Sequence, residues 1–146
     1  MKAKSFLQAV DHERIVAAIR EAEARSRGEI RVHVSHADCD DPQRAAAQKF
    51  EKLGMSATKE RNGVLIFIAP KSQSFAVIGD LGIHERCGEA CWRESAGGMA
   101  QAFRERRFTD GILGAVRRVA DALHEHFPRV AGRVDSDELP NEVSED

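Results

Sequence analysis

No apolar run in this 146-residue chain approaches the roughly 20 residues needed to cross a bilayer, so no direct membrane insertion is expected. The opening residues, MKAKSFLQAVDHER, meet charge and polarity before an apolar stretch can develop. They do not read as a secretory signal, and the expected location is cytoplasmic. Cysteine is scarce: Cys39, Cys87 and Cys91 include no Cys-x-x-Cys pair, and their odd number in a chain able to build an ordinary core argues against a disulfide framework. Reduced thiols are expected. No Gly-x-Gly-x-x-Gly or Gly-x4-Gly-Lys-Ser/Thr segment follows an expected strand, so dinucleotide and nucleoside triphosphate sites lack local support. A strong positive balance is missing too, with a net charge of −2. The best basic group, Arg104, Arg106 and Arg107, reads as a solvated helix end, so nucleic acid is not an expected partner.

What is present suits one globular domain: 42% hydrophobic and 32% charged residues in a length that supports a single core. Asp11 is a good N-cap, and Ile15, Ile19 and Ala22 follow it at helical spacing up to the stop at Gly28. EIRVHVS alternates Ile30, Val32 and Val34 against Arg31 and His33, which predicts a strand with one covered face and solvent-facing histidines at 33 and 36. Asp41-Pro42 opens a second helix carrying Ala46, Phe50 and Leu53 and ending at Gly54. The uninterrupted apolar run from Val64 to Ala69 predicts a central strand, and SFAVIGD follows after the short link PKSQ as the other arm of an antiparallel hairpin.

A third helix is expected from about Ile83 to Arg107, where Gly97-Gly98 bends it or admits a close neighbour. Ile112, Val116, Val119, Leu123 and Phe127 mark a fourth helix, capped by Thr109 or Asp110 and stopped by Pro128. The order requires helices on both sides of a small mixed β-sheet, a three-layer α/β/α sandwich of the α/β class. Residues 1–128 form the expected domain, and the acidic segment 129–146, with six acids and two bases, is expected to be a disordered tail.

Cys87 to Arg93, CGEACWR, matches the Cys-x5-Arg spacing of a phosphate-binding loop. The context opposes that reading: such a loop follows a strand directly and offers backbone N–H groups at a helix start, whereas Cys87 and Cys91 share the apolar side of an expected helix. A zinc site from His84, Cys87 and Cys91 fails on length, because helix positions seven apart lie roughly 10 Å from each other. Trp92 is assigned to core or interface.

The segments GEIRVHVS, RNGVLIFIAPKSQSFAVIGDLGIHE and FRERRFTDGILGAVRRVADAL, in this order and spacing, resemble the TPM-domain family, also called TPM phosphatase-like domains, over about residues 11–128. The loop Gly-Asp-x-Gly-Ile-His-Glu resembles a short branch that lacks the signal peptide and membrane helix of many relatives. The resemblance implies an α/β/α sandwich and brings acid phosphatase activity and calcium binding into view. Two groups of candidate residues follow. Asn62, Asp80, His84 and Glu85, with Glu29 nearby, supply oxygen-rich ligands suited to calcium or magnesium. Asp38, Asp40 and Asp41 form the other, near the start of the last helix, where Asp41 is read as a cap. The expected function is an interaction or accessory module that meets a membrane-associated system through a protein partner. The alternative is a weak metal-dependent acid phosphatase, a phosphomonoester hydrolase built on the Asp80 group, with no nucleophile and base pair standing out.

Overall fold

The computed structural model describes residues 1–129 and 143–146. Its centre is the run Val64 to Ala69, which lies in strand β2 (Gly63–Ala69) and is buried on both faces. Strand β3 (Ser74–Gly79) folds back antiparallel on it, with Val64 opposite Gly79 and Ala69 opposite Ser74, as the short PKSQ link requires. Strand β1 (Glu29–Val34) pairs with β2 in parallel, and helix α3 (Pro42–Lys52) makes the crossover between them. The fourth strand, β4 (Val143–Glu145), pairs parallel to β1, giving the order β3-β2-β1-β4.

Alternation along the strands sorts side chains to two layers. Ile30, Val32, Val34, Val64, Ile66, Ile68 and Val77 form the larger core with helices α2 (His12–Arg25), α5 (Glu89–Arg104) and α6 (Phe108–His126), whose buried stripes include Ile15, Ile19, Met99, Val116, Val119 and Leu123. Each such aliphatic side chain contributes about 1.5–3 kcal/mol by leaving water. On the other face Leu65, Phe67, Ala69 and Ala76 meet Ala46 and Phe50 of α3. The three-layer α/β/α sandwich with a small mixed sheet is therefore the observed fold. Among the described residues no helix is long and apolar enough to cross a membrane.

Local chemistry explains most boundaries. Asp11 accepts from the Arg14 N–H at 3.2 Å to start α2, and Asp41 does the same for Arg44 at 3.1 Å before Pro42 in α3. Gly98 leaves room on α5 for the Arg118 guanidinium, which reaches across from α6 and donates to the Glu94 carbonyl at 3.4 Å.

Several expectations are corrected. A first helix, α1 (Ala3–Ala9), precedes Asp11 and buries Phe6 against Phe103 and Phe108. The expected helix from Ile83 to Arg107 is two helices, α4 (Leu81–Cys87) and α5, because Gly88 between them takes φ +79°, a left-handed value that breaks the helical path. That break brings Cys87 and Cys91 together as a disulfide, so they are not reduced thiols; Cys39 is the free one. Helix α6 starts without a side-chain cap, since the Thr109 hydroxyl accepts from the Asp11 N–H at 3.1 Å and Asp110 pairs with Arg107. Strand β1 is buried on both faces. Its second cover comes from the segment expected to be a disordered tail: Val143–Glu145 completes the sheet, while the remainder of that tail, 130–142, lies outside the described residues.

Candidate binding site at the sheet edge

On the α3 side the sheet is half apolar and half polar. Strand β2 presents Leu65 and Phe67 there, whereas β1 presents Arg31 and His33, followed by Ser35 just beyond its end. His33 is 2% exposed and stacks on Phe67, with ring centroids 6.1 Å apart. Burying such groups without partners is costly. The partners come from Val143 to Asp146.

The backbone of this segment continues the ladder, and the Asp146 N–H donates to the Val34 carbonyl at 3.3 Å. Its side chains then answer β1 position by position. The Ser144 hydroxyl lies 2.8 Å from Nδ1 of His33 and accepts from Nε of Arg31 at 3.2 Å. Glu145 meets His36 Nε2 at 2.8 Å on the outer side. The Asp146 carboxylate occupies a pocket of donors: His33 Nε2 at 2.6 Å and Lys49 Nζ at 2.9 Å reach Oδ1, while the Ser35 hydroxyl and the His36 N–H, the latter at 3.2 Å, donate to Oδ2. Three parts of the chain supply these donors: β1, the turn after it, and α3.

The network fixes the histidine tautomer. A carboxylate only accepts, so Nε2 of His33 carries the proton toward Asp146, leaving Nδ1 to accept from Ser144. Burial pushes the His33 pKa below its ordinary value, helped by the Lys49 and Arg31 charges and opposed without success by the Asp146 hydrogen bond and charge. The ring is therefore neutral at pH 7. Burial also opposes the charged form of Asp146, but hydrogen bonds from Ser35, Lys49 and His33, with the Lys49 charge, outweigh it and hold the carboxyl well below the usual carboxylate range. Ser, His and Asp are in line here, yet the Ser144 hydroxyl already donates to His33 Nδ1 and accepts from Arg31 Nε. This is a packed network for holding a strand, with the serine occupied.

The alternation of His33 with Val32 and Val34 predicts a solvent-facing ring, and its buried position corrects that. The signal that could have found the site is a strand whose polar face carries arginine and histidine beside a tail rich in acids.

At the opposite end of β1 and β2 the Asp80 group is assembled differently from the expectation. Asp80 does lie beside the start of β2, with its N–H donating to the Gly63 carbonyl at 2.9 Å. Arg61 takes both its oxygens, Nε to Oδ2 at 2.7 Å and Nη2 to Oδ1 at 2.9 Å, and Oδ1 also caps α4 through the Leu81 N–H. His84 Nδ1 accepts from Trp92 Nε1 at 2.9 Å, which places Trp92 in the core. The Asn62 amide is buried and donates to the Arg27 carbonyl at 3.1 Å, while Glu85 is exposed. Glu29 is buried at the start of β1. A calcium or magnesium ion would compete at Asp80 with a guanidinium that already matches the carboxylate bidentately, so these residues do not fit such an ion. Among the described residues no three of His, Cys, Asp and Glu form a cluster able to hold a metal. In the other acidic group, Asp41 caps α3, Asp38 pairs with Lys71 at 3.4 Å, and Asp40 is exposed.

Fold and edge together define an α/β/α domain that holds an extended segment on the edge of its sheet. The model of the TPM domain matches residues 1–122, and the chain belongs to that family. It is similar to the BA42 protein of the psychrophilic bacterium Bizionia argentinensis, known from an NMR structure, at 34% identity over 92% of both chains with a TM-score of 0.83. No curated protein matches the chain.

Proposed function

We propose that this TPM domain is an interaction module that binds an extended acidic segment of a partner protein by adding it as a strand to β1. The observation that carries the reading is the parallel pairing of Val143–Glu145 with Val32–Val34, in which the side chains of Ser144 and Asp146 are read by Arg31, His33, Ser35 and Lys49. Strand addition gives affinity through the main chain and specificity through alternate side chains. An edge paired over only three residues is a modest contact that another segment can replace. A metal-dependent phosphomonoesterase built on Asp80 has less support, because Arg61 and the α4 cap already use that carboxylate.

The test uses a fluorescent peptide of sequence PNEVSED, residues 140–146, and the full chain with Asp146→Lys, whose own tail then faces Lys49 with like charge. Anisotropy should show saturable binding, about tenfold tighter to the variant than to the wild type because the internal competitor is weakened. Absence of saturable binding to either protein would refute the proposal.

A further inference from the structure

The place where Asp146 sits has the make-up of a binding site for a small oxyanion. Its donors are of four kinds: the Lys49 ammonium, the Ser35 hydroxyl, the His33 ring N–H and the His36 backbone N–H, shared between two carboxylate oxygens. Ser35 is 5% exposed and His33 2%, so two of the four are built into the interior. Lys49 reaches the site from α3 with its side chain 23% exposed, so the pocket opens to solvent on that side. The position in the fold agrees. Ser35 and His36 lie just beyond the carboxyl end of β1, and the Ser35 N–H still bonds the Ile68 carbonyl at the end of parallel β2, at 2.8 Å. Ligands of open α/β sheets collect at that end, where strands stop and loop amides become available.

We infer that His33, Ser35, His36 and Lys49 form an oxyanion site whose external ligand is a carboxylate or phosphate group, and that Asp146 is its exchangeable internal occupant. This rests on the reading of β1 as a strand-docking edge and specifies what the docked segment must carry. A carboxylate satisfies the four donors with two oxygens, and a phosphate offers three for the same set. Docking then has two parts: β1 pairs with any extended backbone, while the pocket accepts only a segment with an anionic group where Asp146 lies. Ser144 adds a third element of recognition, since its hydroxyl alone joins Arg31 to His33.

The site is tested in the full chain with Asp146→Ala, which removes the internal occupant at an edge position and leaves all four donors in place. Inorganic phosphate and acetate are titrated separately, and binding is read from the 15N shifts of the His33 ring and the shift of the His36 amide. Saturable shifts are expected in Asp146→Ala, with affinity at least tenfold weaker in wild type, and a further loss of tenfold or more when Lys49→Met is added to Asp146→Ala. Response to phosphate alone would support the site and narrow its ligand to a phosphorylated group, and response to both would support aspartate or glutamate as well. No saturable shift with either ion, or binding indifferent to Lys49, would overturn it. The PNEVSED peptide separates this inference from the proposal beneath it. Anion binding without peptide binding would leave the pocket and remove strand addition. Peptide binding unaffected by changing the peptide's final Asp to Ala would keep strand addition and remove the pocket.

Discussion

Replacing Asp146 by Asn probes the tail contact without changing its size. The carboxylate accepts from four donors, two on each oxygen. An amide offers one acceptor oxygen and one NH2 group, so whichever way it turns, two donors face a donor. With the NH2 toward Ser35 and His36, the serine hydroxyl can rotate to accept but the His36 N–H loses its partner. With the NH2 toward His33 and Lys49, an ammonium loses its acceptor in a confined place. Hydrogen bonds to a charged group contribute about 1.5–3 kcal/mol against about 0.5–1.5 for neutral ones, so weakening two or three of them costs about 2–3 kcal/mol. The loss falls on tail docking, because β4 is a three-residue edge strand that opens without unfolding the sheet. Native-state hydrogen exchange at the Asp146 amide, which bonds the Val34 carbonyl, should therefore accelerate roughly 30- to 140-fold. The urea midpoint of the whole domain should move little. Unchanged protection at that amide, with the His33 ring also undisturbed, would show that the carboxylate does not hold the tail.

Hydrogen bonds from Ser35, Lys49 and His33 that only docking makes hold the Asp146 carboxyl below its ordinary range, so its contribution to docking is full above 3.8 and is lost only under stronger acid. Burial within the folded domain lowers the His33 pKa, so its contribution to folding stability is full above 6.5 and falls as pH drops below it, by up to about 1.4 kcal/mol per unit. Urea unfolding at pH 7.5 and 5.5 checks the second effect, and a domain more stable at the lower pH would contradict it. Reduction of Cys87–Cys91 should leave the fold in place and lower stability by about 2 kcal/mol or less, because the bridge spans only four positions; thiol titration of the unfolded chain should rise from one group to three. Asp80→Ala removes the α4 cap, at a cost of about 1 kcal/mol, together with the Arg61 contact, and should show as a lower melting temperature with no change in the heat of calcium titration.

Patterns that depend on neighbours in sequence were legible. The Asp11 and Asp41-Pro42 starts, the β2–β3 hairpin and the α6 stripe all follow from caps, turns and periodicity, which act over a few residues. Helix α1 escaped because seven residues without a side-chain cap give periodicity too little length. The alternation of Arg31 and His33 was read correctly as a polar face and wrongly as a wet one, since its cover lies more than a hundred positions away. The acids of the last segment were read as a reason for disorder. At Ser144 and Asp146 they and their neighbours complement Arg31, His33 and Lys49, and three residues of strand are too short to announce themselves by period. The Cys87–Cys91 bridge was hidden by treating Gly88 as an ordinary helical position when it is the break between α4 and α5.

The central claim is that the edge of β1 on which Val143–Glu145 lies is where an acidic segment binds, and locating a bound peptide tests it most directly. In the full chain carrying Asp146→Lys, with isotope-labelled protein and unlabelled PNEVSED peptide, intermolecular NOEs should connect the peptide's Val-Ser-Glu to Val32, His33 and Val34 in the parallel register that Val143, Ser144 and Glu145 adopt. NOEs placing the peptide on another surface, with the β1 amides unshifted at saturation, would contradict the account.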